Sequence, residues 1–94
     1  MNLRSLEELR EEINQIDTEL TKLIEARFKC AVEVAQYKQA HDLPVFDEKR
    51  EAIVLERNVS AVSDTRFEDD IRRFYQSLMD ISKDIQRQEL QAEE

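Results

Sequence analysis

One run of residues limits the fold more than any other. Leu6, Leu9, Ile13, Ile16, Leu20 and Leu23 follow one another at alternating intervals of three and four. On a helix that spacing makes an apolar stripe with the periodicity of a coiled-coil seam. Continued, the seam passes through Arg27, a charge where an apolar side chain is due, and then through Cys30, Val34 and Tyr37. Ser5 and Glu8 ahead of it form an S-x-x-E capping box, so the spacing predicts a helix from about Ser5 to about His41. At 1.5 Å per residue, about 36 residues extend roughly 54 Å, against the roughly 30 Å width of a small domain. A chain of 94 residues is one domain's worth and cannot cover both ends of such a rod. The seam therefore needs a partner, and an antiparallel second copy is the simplest.

The rest of the chain also reads as helix. There is no Gly and a single Pro, Pro44, whereas strands and hairpins draw heavily on Gly. Pro44 disfavours the helical conformation at Leu43, so His41 to Pro44 is expected to be a connection. Asp42 is the residue there expected to take the left-handed conformation usually given to Gly. A second helix is predicted with Asp47 as N-cap, running to about Val62, with Ile53, Val54 and Leu55 on its apolar side. Ser63, Asp64 and Thr65 form a second break. A third helix is predicted from about residue 65 to about Gln91, with Phe67, Ile71, Phe74, Tyr75, Leu78, Ile81 and Ile85 at helical spacing. Met79 and the aromatic residues of this helix are expected in the core, and Cys30 is expected to be a small buried hydrophobe. The expected architecture is all-α: a single domain over residues 1–94, three helices of which one is very long, paired as an intertwined homodimer.

Composition removes several function classes. With 14 basic and 22 acidic residues the net charge is −8, which argues against nucleic acid as a partner. One cysteine and one histidine, His41, allow no intramolecular disulfide and no usual zinc set. No apolar run is long enough to span a bilayer, so no membrane partner is expected. The N-terminus lacks the apolar core of a signal peptide, which makes the cytoplasm the expected location.

A small anion held by a local cluster of cations remains open. Arg27 and Lys38 are eleven residues apart, which on a helix is three turns plus about 20°. They project from nearly the same face, roughly 16 Å apart along the axis, leaving a gap sized for a small diacid. Arg10 is too far along its own helix to reach that gap. In an antiparallel pair with its dyad near Thr21 and Lys22, Arg10 of one chain falls beside residues 30–33 of the other, inside the gap. In the second helix Asp47, Arg50 and Glu51 share a face at i, i+3 and i+4. In the third, Ser82 and Gln86 stand at i, i+4 on the border of the apolar stripe.

These residues resemble the all-helical chorismate mutases. The resemblance is carried by Leu9-Arg10-Glu11-Glu12-Ile13, Ile16-Asp17 and Leu20, then Arg27, Ala31-Val32-Glu33-Val34-Ala35 leading to Lys38, Leu43-Pro44-Val45 with Asp47, Arg50-Glu51, and finally Ser82 and Gln86. It extends from about Leu3 to about Gln88. It implies an intertwined dimer of three-helix chains with two sites, each taking one arginine from the partner. It also implies the Claisen rearrangement of chorismate to prephenate, on the way to phenylalanine and tyrosine, with no cofactor and no metal. Arg10 of the partner, Arg27 and Arg50 are then expected on the substrate carboxylates, with Ser82 anchoring one of them. Lys38 and Gln86 are expected to donate to the ether oxygen, and Glu51 to accept from the ring hydroxyl. Asp47 is expected to meet that hydroxyl through its backbone amide or to serve as a cap. Many members carry a Gly near the turn before the proline, and this chain has none.

Taken singly, each residue has a plainer explanation. Arg27 is explained by snorkelling at a helix crossing, Arg10, Lys38 and Arg50-Glu51 by solvated charge, and Ser82 and Gln86 by a boundary position. Their co-occurrence favours a site. Two rival functions follow from the same residues: an isochorismate–pyruvate lyase of the same fold, and a non-catalytic helical dimerisation module.

Overall fold

A computed structural model describes residues 3–92, and every regular element among them is helical. Helix α1 is Leu6–Ala40, α2 is Glu48–Ser60, and α3 is Glu68–Ala92, with a single 3₁₀ turn, Thr65–Phe67, leading into α3. The expected all-α order of one long and two shorter helices is the one observed. Among the described residues no helix is long and apolar enough to cross a membrane.

Local chemistry sets most of the boundaries. Ser5 Oγ accepts from the Glu8 amide at 3.1 Å, starting α1 where the capping box predicts. At the other end Asp42 has φ 54°, the left-handed conformation. The Leu43 amide donates back to the Lys38 carbonyl at 2.8 Å and the Asp42 amide to Gln39 at 3.3 Å, which is a complete Schellman motif with aspartate in the glycine position. His41 Nδ1 meets the Tyr37 carbonyl at 2.8 Å, and its ring stacks on Tyr37. Asp47 caps α2 by accepting from the Arg50 amide at 3.0 Å.

Two boundaries differ from expectation. Helix α2 stops at Ser60 rather than near Val62, because Ala61 and Val62 bond three residues back, to Asn58 and Val59, and tighten the final turn. The third helix does not begin directly as α-helix. The Asp64 carboxylate accepts from the Arg66 amide two residues on, at 3.0 Å, which draws Thr65–Phe67 into a 3₁₀ turn.

The described residues form two compact units that divide between Cys30 and Ala31. The first holds the N-terminal part of α1. Its seam is open, with Leu6 61% and Leu23 68% exposed, because a single helix offers no second layer within the unit. Cys30 is exposed for the same reason, contrary to the expected burial.

The second unit has a layered core. Ala31 and Ala35 on the last turns of α1, Val59 on α2, and Leu78 and Met79 on α3 are buried, with Ala35 fully so. Gln36 donates to Glu89 at 3.2 Å and ties the end of α1 to α3. Met79 is in the core as expected, but Phe67, Phe74 and Ile53 are exposed and Tyr75 is only half-buried. The stripe of the 25-residue α3 is wider than the 13-residue α2 can cover, so part of it stays open.

Candidate active site

In the second unit α2, which carries Glu51, packs against α3, which carries Ser82 and Gln86, and Lys38 stands at the end of α1. Lys38, on the last turn of α1, is half-buried. The Schellman turn and Pro44 fold the chain back, and Lys38 Nζ donates to the Val45 carbonyl at 2.7 Å. An ammonium has three N–H groups, so this bond fixes its position while leaving donors for a ligand.

Glu51 projects from α2 toward α3 and is held there. Lys83 Nζ lies 3.0 Å from Glu51 Oε2, and both side chains are only 17% exposed. The same ammonium is 3.3 Å from the more exposed Asp80 and stands 4.8 Å from the centre of the Phe46 ring, on the connection before α2. The hydrogen bond to Glu51 is the largest cause of a Lys83 pKa above its usual value, with burial acting in the opposite direction. Lys83 is the residue that sequence reasoning misses. In sequence it is an i, i+3 partner of Asp80, the pattern of a solvated helix face, and nothing local points to a carboxylate on another helix.

Ser82 and Gln86, one turn apart on α3, are the two buried polar residues among those described, 6% and 8% exposed. Ser82 Oγ donates to the Leu78 carbonyl at 2.8 Å, an ordinary helix back-bond. Gln86 Oε1 is buried with no hydrogen-bond partner among the described residues. A half-turn about the last torsion exchanges Oε1 with Nε2, so the same head can present an acceptor or a donor. A buried oxygen in this state is costly to the fold and available to a ligand.

Asp47 has its carboxylate on the first turn of α2, as a cap. Arg50, one turn on, is exposed. Arg10 and Arg27 belong to the first unit. There Arg10 is exposed beside a shallow groove formed with Leu6, Glu7, Glu11 and Asn14, and Arg27 is half-buried.

The second unit thus carries an ammonium bonded at one N–H, a buried side-chain amide, a hydroxyl bonded to its own helix and a carboxylate paired with lysine. Groups of these types can bind and polarise a small oxygen-rich molecule where they converge.

Comparison with known proteins bears on the whole chain. The family model described as chorismate mutase type II matches residues 9–87. A protein named chorismate mutase from Methanocaldococcus jannaschii is 29% identical over 90 residues, covering 95% of this chain and 91% of that protein. The T-protein of Haemophilus influenzae is 32% identical over 77 residues, covering 77% of this chain, and the chain spans only 20% of that protein's length. No solved structure gives a significant match.

Proposed function

The chain belongs to the chorismate mutase type II family, and on that premise we propose that it rearranges chorismate to prephenate by confinement and electrostatic stabilisation. The observation that carries the proposal is the Gln86 side-chain oxygen, buried on α3 without a partner among the described residues and inside the matched stretch that also contains Arg10, Arg27, Lys38, Asp47, Arg50, Glu51 and Ser82. A catalytic or binding role is one reason a fold keeps a buried polar group unsatisfied.

The residue types suit the reaction. Chorismate carries two carboxylates, and its reactive conformer is a compact chair that is scarce in solution. Arg27, Arg50 and Arg10 from a second copy are assigned to the carboxylates, where the planar guanidinium fork pairs bidentately. Ser82 is assigned to anchor one carboxylate. Holding both ends of the diacid converts a rare conformer into the bound one. As the carbon–oxygen bond breaks, negative charge grows on the ether oxygen, where Lys38 and Gln86 are assigned as preorganised donors. Glu51 accepts from the ring hydroxyl. Asp47 shapes the start of α2 and offers its backbone amide. No step calls for a metal, a cofactor or a covalent intermediate.

The open seam of the first unit supports the dimer that this assignment of Arg10 requires. A single domain over residues 1–94 and a location in the cytoplasm complete the proposal.

The test is loss of the chorismate ultraviolet absorbance on adding purified protein, with Arg27→Ala as control. The expected result is turnover that falls about 100-fold or more in the variant while the helical circular dichroism is kept. Absorbance that decays only at the spontaneous rate overturns the mutase. Salicylate from isochorismate, with no prephenate from chorismate, assigns the lyase instead. Sedimentation should give the mass of two chains, and a stable monomer removes Arg10 from the site.

A further inference from the structure

We propose that Lys83 is a positioning residue of this site: it neutralises Glu51 and aims its carboxylate, which allows a dianion to bind beside a negative side chain. The inference rests on the chorismate reading above and extends it to a residue that is not among those carrying the resemblance.

The geometry that supports this is specific. Lys83 lies on α3 immediately after Ser82 and three residues before Gln86, about 60° around the helix from the latter. Its ammonium is held on three sides, by Glu51 Oε2 at 3.0 Å, by Asp80 at 3.3 Å and by the face of Phe46 at 4.8 Å. Asp80 is 56% exposed and screened by water, so Glu51 is the stronger partner. Because Lys83 occupies Oε2, Oε1 is the oxygen left to accept from a substrate hydroxyl. The aromatic face of Phe46 prevents the ammonium from swinging away, since a cation over a ring is attracted to its centre.

The charge balance gives the pair its purpose. Three arginines and Lys38 are assigned to the diacid, and a bare carboxylate beside it cancels part of their attraction, because like charges at contact distance oppose binding. A carboxylate is nonetheless the best acceptor for a hydroxyl. A lysine behind it reduces the conflict: it offsets the Glu51 charge, shared in part with the more exposed Asp80, and the facing oxygen is still an acceptor.

The experiment is steady-state kinetics with chorismate on four proteins: wild type, Lys83→Met, Glu51→Gln, and the double variant. Methionine keeps the length and apolar stem and removes the charge. Lys83→Met is expected to raise KM about tenfold while kcat changes less than about threefold, the pattern of lost ground-state binding. Lys83→Arg is expected to restore KM to within about threefold of wild type. The double variant is expected to bind better than Lys83→Met alone, because the neutral amide that replaces the Glu51 carboxylate needs no counter-charge. A merely structural lysine predicts the reverse, with the double variant no better than the single one. An unchanged KM in an active Lys83→Met protein overturns the inference, as does a double variant as poor as the single. If Lys83→Met fails to fold, the comparison moves to the double variant against Glu51→Gln, which should agree within about threefold, and a further tenfold rise overturns the inference. A wild type with no mutase activity overturns the chorismate reading itself and is distinguished from these outcomes by the first assay.

Discussion

Replacing Gln86 with leucine should make the protein more stable and nearly inactive. The side chain is 8% exposed, and its Oε1 is buried without a partner. A buried acceptor left unsatisfied costs about 1–3 kcal/mol of stability relative to one that is met. Leucine has nearly the same volume, carries no polar atom, and adds buried apolar surface. The Gln86→Leu protein is therefore expected to gain about 1–2 kcal/mol. For a domain of this size that corresponds to roughly 5–10 °C in the unfolding midpoint. Midpoints must be compared at one protein concentration, because an associating chain melts at a temperature that depends on it. In the same variant turnover should fall about 100–1000-fold, the range for loss of one preorganised donor to a developing oxyanion.

Glutamate at the same position separates donor from filler. A carboxyl group donates only while protonated, with burial favouring the protonated form and Lys38, assigned to the same ether oxygen, favouring the ionised one. Gln86→Glu should therefore regain activity as pH falls, whereas the wild-type amide, which needs no proton, should be flat through neutrality. Differential scanning calorimetry and the chorismate absorbance assay read the two halves independently. A Gln86→Leu protein that melts at or below the wild-type midpoint refutes the unsatisfied amide. One that melts higher but keeps activity within about threefold refutes its role as donor.

Two further outcomes follow from local chemistry. Asp42→Gly should stabilise the protein by about 0.5–1 kcal/mol, because it relieves a Cβ held at φ 54°, partly offset by the greater freedom of glycine in the unfolded chain. Asp42→Val should destabilise it, and urea midpoints measured together decide the order. The pH dependence of stability has opposite signs at its two ends. Lys83 is raised above its usual 10.5, so its contribution is complete below that pH and is lost as pH rises through the raised value; Lys83→Met should remove this alkaline loss. Asp64 is lowered below its usual 3.8 by the Arg66 side chain and then by its amide, so its contribution is present above that pH and is lost as pH falls through the lowered value. Thermal scans of Asp64→Ala across the acid range should lack that part of the fall.

What is legible in the sequence is what is local or periodic. The α1 seam is a repeat, and the caps at Ser5 and Asp47 involve bonds spanning three residues. The left-handed Asp42 follows from a helix that must stop before Pro44 in a chain without glycine. The end of α2 and the 3₁₀ opening of α3 escape because each turns on competition between hydrogen bonds only a residue apart in register. Periodicity marks a stripe as apolar but not how much of it a neighbour covers, which is why Phe67, Phe74 and Cys30 are expected in the interior and found exposed.

The candidate site divides along the same line. Arg27 and Gln86 stand out because each breaks an apolar pattern, a charge on the seam in one case and an amide beside the stripe in the other. Lys83 breaks nothing, since a lysine three residues after an aspartate on a helix is what a solvated surface looks like. Its principal partner, Glu51, is 32 positions away in sequence and on another helix, a pairing set by how α2 meets α3. Exceptions to a pattern draw the eye to single positions, and structure is needed to find groups whose partner is distant in sequence. If Lys83 acts through Glu51, a residue that no pattern distinguishes controls how an acceptor meets its substrate, and a search confined to pattern-breaking positions will miss residues of that kind in other helical sites.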